Sequence, residues 1–136
     1  MSKVLKAGCI LINPKNHTIA LVHREKQNDY SFPKGHLEGE ESLKECAIRE
    51  TAEETKRDCI ILEEEPVYLE TYVTPSGEDV LMHYFIAKDN GPSSNTSEDT
   101  HPTHWLPYNE VYDKLTYPSL KTVWDNVKDK VESYFE

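Results

Sequence analysis

The sequence predicts an α/β layered sandwich, and three observations lead to this fold class. Short runs of strand-forming residues lie on both sides of one helical pattern, and an amphipathic helical pattern closes the chain. With 136 residues and a hydrophobic fraction of 37%, the chain can bury one core but not two. We therefore expect residues 1–136 to form a single domain.

The first half of the chain is predicted to contain three strands and then a helix. The strands are expected at residues 3–12, 18–24 and 30–32, where β-branched, aliphatic or aromatic residues cluster between turn-forming segments. The helix is expected to run from Leu43 to Thr55, because Ser42 can cap it and Glu45 completes a capping box.

The second half is predicted to be mostly strands, followed by helices. Strands are expected at residues 58–63, 66–74, 79–88 and near 103–106. Residues 89–100 contain no hydrophobic side chain and are expected to form an exposed loop. A short helix is expected at 109–115, and an amphipathic helix at 119–134.

The composition narrows the classes of partner and the cellular location. The net charge of −10 disfavours a nucleic-acid scaffold role, because the surface would repel phosphate backbones. Residues 1–6 do not have the layout of a signal peptide, and no apolar run is long enough to span a membrane, so we expect a cytoplasmic protein without a membrane partner. Cys9, Cys46 and Cys59 have no CxxC spacing and are expected to be buried, reduced thiols.

Residues 35–57 contain the most informative motif of the chain. Its members are Gly35, Glu41, Arg49, Glu50, Glu53 and Glu54. On a helix, the last three carboxylates fall on one face and must crowd each other. A hard divalent ion, Mg²⁺ or Mn²⁺, relieves that repulsion. The alternative is a solvated acidic face, but the fixed offsets of the glycine, the arginine and the upstream glutamate favour a metal site.

These offsets resemble the signature of the Nudix hydrolase family, GxxxxxE, seven residues, then REUxEExGU, where U is a bulky aliphatic residue. Thr51 stands at an aliphatic position, Lys56 replaces the last glycine and Arg57 replaces the final aliphatic residue. The family's glycine ends the helix in a left-handed conformation that lysine adopts only at a cost. We expect the replacements to alter the loop after the helix and to leave the metal site intact.

The resemblance implies a mixed sheet between helices, an α/β/α sandwich whose signature forms a loop, a helix and a second loop. It also implies Mg²⁺-dependent cleavage of a phosphoanhydride, with Mn²⁺ as a possible substitute. Glu53 and Glu54 would be the most direct metal ligands, and the carbonyl of Gly35 would be another. Glu50 would bind a second ion or approach the attacking water, and the general base stays open.

Further residues of the implied site lie around these ligands. Arg49 is expected to orient Glu50 or to pair with a neighbouring glutamate, and Glu41 is expected to hold Arg49 and the loop. The family often adds an acidic ligand from the loop before the last strand, where Glu98 or Asp99 could serve. That loop could also close over the substrate.

The run FPKGHLE at residues 32–38 resembles the diadenosine tetraphosphate hydrolase branch of the family. In that branch the lysine of this run reaches the polyphosphate, and Lys34 occupies its position in this chain. His36 could contact phosphate or cap the loop. ADP-ribose and sugar-nucleotide hydrolases more often carry a small residue at this position, although Pro75 keeps the ADP-ribose branch open.

Tyr72 and Tyr84 are the candidates to contact the nucleoside, with His83 as a further substrate-binding candidate. Alternation along the strand places His83 and Tyr84 on opposite faces, so only one of them can line the cleft. Core packing is the alternative for Tyr84.

The expected function is hydrolysis of a dinucleoside polyphosphate, such as diadenosine tetraphosphate to ATP and AMP. Within the enzyme class, the alternatives are a nucleoside triphosphate pyrophosphatase that cleans the nucleotide pool and a hydrolase of ADP-ribose or related compounds. RNA 5′-pyrophosphohydrolases and diphosphoinositol phosphate hydrolases are disfavoured by the negative charge. Outside the enzyme class, the alternative is a Nudix-fold ligand sensor. The partner is a small nucleotide, and the oligomeric state, monomer or homodimer, stays open.

Overall fold

The computed structural model describes residues 3–136. The strands are β1 (Val4–Asn13), β2 (Thr18–Arg24), β3 (Asp29–Ser31), β4 (Lys34–His36), β5 (Arg57–Ile61), β6 (Tyr68–Val73), β7 (Asp79–Pro92) and β8 (Thr103–Pro107). The helices are α1 (Leu43–Thr55), α2 (Val111–Lys114) and α3 (Pro118–Glu132), with a 3-10 turn at Tyr108–Glu110. Residues 1 and 2, which form part of the segment expected to lack a signal peptide, lie outside the described residues.

One mixed sheet of eight strands forms the centre of the fold. β1 runs parallel to β7, whereas β2 and β4 are antiparallel to β1. β5 and β6 pair antiparallel with the two ends of β7, and β3 and β8 pair antiparallel with β2. A parallel pair needs a long crossover connection. The chain between β1 and β7 therefore includes α1, which packs next to the short strand β4.

Helices cover both faces of the sheet, as the α/β/α prediction requires. Small side chains of β1, such as Ala7 and Cys9, face Cys46 and Ala47 of α1. The alternate residues of β1 and β7 face α3 and build the larger core. That core contains Ile10, Ile12, Phe32, Met82, Tyr84, Ile86, Val123, Trp124 and Val127. The small residues let α1 approach the sheet closely.

Helix α1 begins and ends where the sequence predicted. Ser42 Oγ accepts a hydrogen bond from the amide of Glu45 at 3.1 Å, and the amide of Ser42 donates to Glu45 Oε1 at 2.8 Å. The predicted capping box is therefore present. The three cysteines are free and buried, as expected. Within residues 3–136, no helix combines the length and apolar character needed to span a membrane.

Two strands differ from the prediction. β4 was not predicted, because three residues are too few to show a periodicity. β7 was predicted to end at residue 88 but continues to Pro92, so the expected loop begins later. There the Arg57 guanidinium donates to both carboxylate oxygens of Asp89, at 2.8 and 2.6 Å, and pairs polar β7 residues with β5.

Lys56 takes the left-handed conformation that the family assigns to glycine. Its φ is 58° and its ψ is 32°, and its amide donates to the carbonyl of Ala52 at 3.0 Å to close α1. The ammonium donates to the carbonyl of Ser97 at 2.5 Å. The side chain therefore attaches the segment after β7 to the end of α1. Only Lys56 separates α1 from β5, so this contact changes the segment after β7 and not the loop after the helix that was expected to change.

We predict that Lys56→Gly is more stable than Lys56→Ala by about 1 kcal/mol. Both variants lose the contact with Ser97, but only alanine keeps a Cβ in a left-handed conformation. The free energy of unfolding in urea measures the difference. Equal stabilities would show that the backbone at Lys56 is not strained.

Candidate active site

The face of α1 that points away from the sheet carries the acidic side chains of the motif. Burial of Cys46, Ala47, Thr51 and Ala52 against the sheet fixes how the helix is rotated. Glu50, Glu53 and Glu54 therefore project beside β4 and the loop that follows it.

Gly35 lies directly beneath the carboxylate of Glu50. A Cβ at Gly35 would lie 2.0 Å from the Glu50 carboxyl carbon, so only glycine leaves room for this side chain. The Gly35 carbonyl accepts a weak hydrogen bond from the thiol of Cys46, with a sulfur to oxygen distance of 3.7 Å. Burial raises the pKa of Glu50, and its hydrogen bond from Arg49 opposes that shift.

Arg49 is the centre of the hydrogen-bond network. Its Nε and Nη2 donate to the two oxygens of Glu41 at 3.0 and 2.7 Å. Its Nη1 donates to Glu50 Oε2 at 3.0 Å and to Glu53 Oε2 at 2.9 Å. These contacts place Arg49 among the carboxylates and attach it to the loop before α1, where Nη2 also donates to the carbonyl of His36 at 2.9 Å.

Glu41 holds both the arginine and the loop. Besides pairing with Arg49, its Oε1 accepts a hydrogen bond from the amide of Glu38 at 2.9 Å. The hydrogen bonds from Arg49 lower the pKa of Glu41 to about 2 and raise that of Arg49. The Arg49 to Glu41 pair is therefore ionised at every physiological pH.

Glu54 connects the acidic face to Lys34. Its Oε1 accepts a hydrogen bond from the backbone amide of Lys34 at 3.0 Å. Burial raises the pKa of Glu54 to about 7, against the attraction of Lys34, and burial also lowers the pKa of the half-buried Lys34. Lys34 therefore contacts the acidic helix through its backbone and is free to extend its ammonium elsewhere.

The donor set fits a hard divalent cation in type. It consists of the oxygens of Glu50, Glu53 and Glu54 on one helix face and the carbonyl of Gly35 beside them. Among residues 3–136, no three acidic, histidine or cysteine side chains converge at metal-ligand spacing. Instead, Arg49 Nη1 bridges Glu50 and Glu53. To bind a common ion, these side chains would have to rotate away from that bridge.

A cavity of about 560 Å³ lies where the Lys34 side chain extends, between strands of the sheet that include β1 and β6 and the start of α3. Its lining residues are Lys6, Arg24, Ser31, Lys34, Glu70, Tyr72, Pro75, Tyr117, Ser119 and Leu120. The volume is in the usual range for a small-molecule site. Three basic and two tyrosine side chains in one cavity suit a ligand that has both phosphates and a flat ring.

Two tyrosines from distant parts of the chain form walls of this cavity. Tyr72 comes from β6, and the ammonium of Lys6 lies 5.7 Å from the centre of its ring. Tyr117 is the N-cap residue of α3, and its hydroxyl donates to Asp29 Oδ2 at 2.7 Å. Asp29, which is 1% exposed, also accepts two hydrogen bonds from Arg24, at 2.8 and 2.5 Å. The buried aspartate thus holds two cavity residues in place.

Three of the five predicted substrate-binding residues, His36, Tyr84 and His83, do not line this cavity. Tyr84 is fully buried in the core, where it contacts Phe32, which agrees with core packing, the alternative for this residue. The same strand turns His83 toward the opposite face of the sheet. His83 is 7% exposed, and its Nδ1 lies 3.0 Å from the carbonyl of Lys6. It cannot reach the cavity from there.

The remaining predicted residues lie at the surface. The side chain of His36 is exposed, and Glu98 and Asp99 are exposed in the segment after β7. This segment is attached to the end of α1, because the Thr100 hydroxyl donates to the carbonyl of Glu53 at 3.2 Å. Within residues 3–136, no ion pair or side-chain hydrogen bond joins Glu98 to the acidic face of α1. Its role as a ligand stays a prediction.

Several residues in and around the cavity were not predicted from the sequence. Tyr117 is followed by Pro118, which marks the first turn of a helix, but this signal does not say that the ring faces a cavity. Lys6 and Glu70 of the cavity, and Asp29 behind it, lie in strands and cannot be distinguished in the sequence from solvated or edge charges.

Comparisons with known proteins agree with this fold. The model of the family described as NUDIX domain matches residues 3–127. The chain is 30% identical over 111 residues to an 8-oxo-(d)GTP phosphatase of Mycolicibacterium smegmatis, a match that covers 82% of the chain and 34% of that protein. A relative from Mycobacterium tuberculosis is 30% identical over 120 residues, with 85% of the chain and 48% of that protein covered. The chain thus spans half or less of these curated relatives.

Solved structures resemble the whole chain at lower identity. An Ap4A hydrolase from C. elegans in a binary complex superposes with a TM-score of 0.77 at 20% identity, covering 96% of this chain and 98% of that one. A NUDIX hydrolase from Nitrosomonas europaea superposes with a TM-score of 0.77 at 19% identity, covering 95% of this chain and 90% of that one. At these identities, the similarity establishes the fold.

Proposed function

Because the chain belongs to the NUDIX family, we propose that it is a divalent-metal-dependent pyrophosphohydrolase that cleaves a phosphoanhydride bond of a nucleoside polyphosphate. The observation that carries this proposal is the position of Lys34. Its backbone amide binds Glu54 of the acidic helix face, while its side chain lines the cavity with Lys6 and Arg24. A phosphate chain in the cavity would therefore lead directly to the carboxylates.

Members of the family generally use a divalent metal ion, typically Mg²⁺. Here Glu50, Glu53 and Glu54 would hold it, with the carbonyl of Gly35 as a further donor. When bound, the ion neutralises phosphate charge and lowers the pKa of water. Arg49, kept charged by Glu41, holds Glu50 and Glu53 together in this structure, and both carboxylates would have to leave Arg49 Nη1 to share an ion.

The substrate we propose is a dinucleoside polyphosphate, such as diadenosine tetraphosphate cleaved to ATP and AMP. The FPKGHLE run supports this class through Lys34, whose ammonium can bind phosphates beyond the scissile bond. The cavity supports it too, because Tyr72 and Tyr117 offer two aromatic faces for a nucleoside base.

A nucleoside triphosphate pyrophosphatase is the second candidate. It is favoured by the relative named 8-oxo-(d)GTP phosphatase, although the chain covers only 34% of that protein. Pro75 in the cavity wall keeps an ADP-ribose hydrolase as a weaker alternative. A non-catalytic ligand sensor is disfavoured, because none of the motif's carboxylates is missing.

A substrate panel tests the proposal. The purified protein is incubated with Mg²⁺ and dinucleoside polyphosphates, nucleoside triphosphates, ADP-ribose or 5′-triphosphorylated RNA, and the products are separated by chromatography. We expect the highest kcat/KM with a dinucleoside tetraphosphate, which yields a triphosphate and a monophosphate. A clear preference for nucleoside triphosphates over every dinucleotide would instead support pool cleaning.

We predict that Tyr117→Ala raises KM by about tenfold or more, because stacking of a base on an aromatic ring contributes about 1–3 kcal/mol. Tyr117→Phe keeps the ring but removes the hydrogen bond to Asp29, so its effect on KM should be smaller. Steady-state kinetics on one dinucleotide substrate measures both. If phenylalanine and alanine raise KM equally, the hydroxyl and not the ring is what matters at Tyr117.

A further inference from the structure

Glu70 is the one acid among the described residues that line the cavity, and it shares the cavity with three basic side chains. It lies in β6, two residues before Tyr72 and on the same side of the strand. The basic residues can take the phosphates. A carboxylate beside them repels phosphate, so a different part of the ligand must meet Glu70.

Glu70 is held in place with one oxygen still available. The hydroxyl of the buried Tyr84 donates to Glu70 Oε1 at 3.1 Å. Within residues 3–136, Oε2 accepts no hydrogen bond, and Glu70 forms no ion pair with Lys34 or any other base. An ionised carboxylate can only accept hydrogen bonds, so a ligand that meets it must present donors.

We propose that Glu70 selects guanine as the base bound in this cavity. Guanine presents two adjacent donors, the ring N1–H and the 2-amino group, and the carboxylate can accept one at Oε2 and the other at the second lone pair of Oε1. Adenine presents one amino group next to the acceptor N1, which faces a carboxylate unfavourably. This inference rests on the proposed function, in which the cavity takes one nucleoside of the substrate. It narrows the substrate to guanosine-containing members of that class.

The decisive experiment compares the symmetrical tetraphosphates of guanosine, inosine and adenosine on the wild-type protein with Mg²⁺. We expect kcat/KM for the guanosine compound to exceed that for the adenosine compound by about tenfold or more. Inosine keeps N1–H but lacks the 2-amino group, so it should fall between them. The preference should appear mainly in KM, because the base lies away from the reacting phosphates.

Glu70→Gln and Glu78→Gln form a matched pair of variants. A glutamine at position 70 offers one donor and one acceptor, the pattern that adenine matches, so the preference should fall to near unity or reverse. Glu78 is exposed in the turn after β6 and does not line the cavity, so its loss changes the charge equally without changing the preference.

Failure of the Glu70 proposal and failure of the proposed function would give different results. Turnover of all three compounds with no guanosine preference, or a preference that Glu70→Gln leaves unchanged, would overturn the role of Glu70 alone. No turnover of any nucleoside polyphosphate would overturn the proposed function. The wild-type series does not depend on a variant that folds, so it tests the guanine preference by itself.

Discussion

Glu53→Gln is expected to lower kcat by about a hundredfold or more and to leave the fold intact. Glu53 projects from the face of α1 that does not pack on the sheet, and its side chain is 17% exposed. Glutamine keeps an amide oxygen that can accept from Arg49 Nη1, so the stability without metal should change by less than about 1 kcal/mol. The same amide is a poor ligand for Mg²⁺, because it lacks the charge.

Thermal unfolding with and without Mg²⁺ shows whether the ion is the reason. An ion that binds only the folded state adds about 2.7 kcal/mol at a hundredfold excess over Kd. The wild type should gain this stability, and Glu53→Gln should lose most of the gain. Glu40→Gln, an exposed carboxylate of the preceding loop, is the control and should keep it. Normal turnover by Glu53→Gln, or no gain for the wild type, would show that the carboxylate is structural.

The parts of the fold that the sequence predicts correctly are those that depend on near neighbours. Ser42 and Glu45 interact across three residues, and the positions of Glu50, Glu53 and Glu54 follow from helical spacing. For the same reason, the helix and the order of its carboxylates could be read without knowing what the helix packs against.

Pairing over long distances was harder to predict. The polar end of β7 has the composition of a loop, and it is a strand because Asp89 meets Arg57, 32 residues earlier. The three residues of β4 are a strand because β1 lies beside them. Neither partner is visible from the local sequence.

The cavity shows the same limit. Alternation correctly separated His83 from Tyr84, but it does not say which face is open, and α3 covers the Tyr84 side at that depth. Tyr72, on the edge strand β6, remains in the cavity wall. Tyr117, the other tyrosine of the cavity, lies 45 residues later in the chain, and only folding brings the two tyrosines into one cavity.

Gly35→Ala is expected to reduce activity by about a hundredfold without unfolding the protein. The added Cβ would lie 2.0 Å from the carboxyl carbon of Glu50, and the end of that flexible side chain can rotate away. Rotation removes Glu50 from the hydrogen bond with Arg49 Nη1 and from the other carboxylates. The fold tolerates this movement, whereas the proposed ion site does not, because the added Cβ occupies the space beside Gly35 that the Glu50 carboxylate needs to share an ion with Glu53 and Glu54.

Gly8→Ala is the contrasting variant. Its Cβ would lie 2.1 Å from the carbonyl oxygen of Pro33, which joins β3 to β4, and backbone cannot rotate away as the end of a side chain does. We expect Gly8→Ala to lower the free energy of unfolding by about 1–3 kcal/mol and Gly35→Ala to change it by less. Urea unfolding and kcat on one substrate, measured for both variants, separate the two effects. Full activity in a folded Gly35→Ala protein would show that the position of Glu50 beside Gly35 is not needed for catalysis.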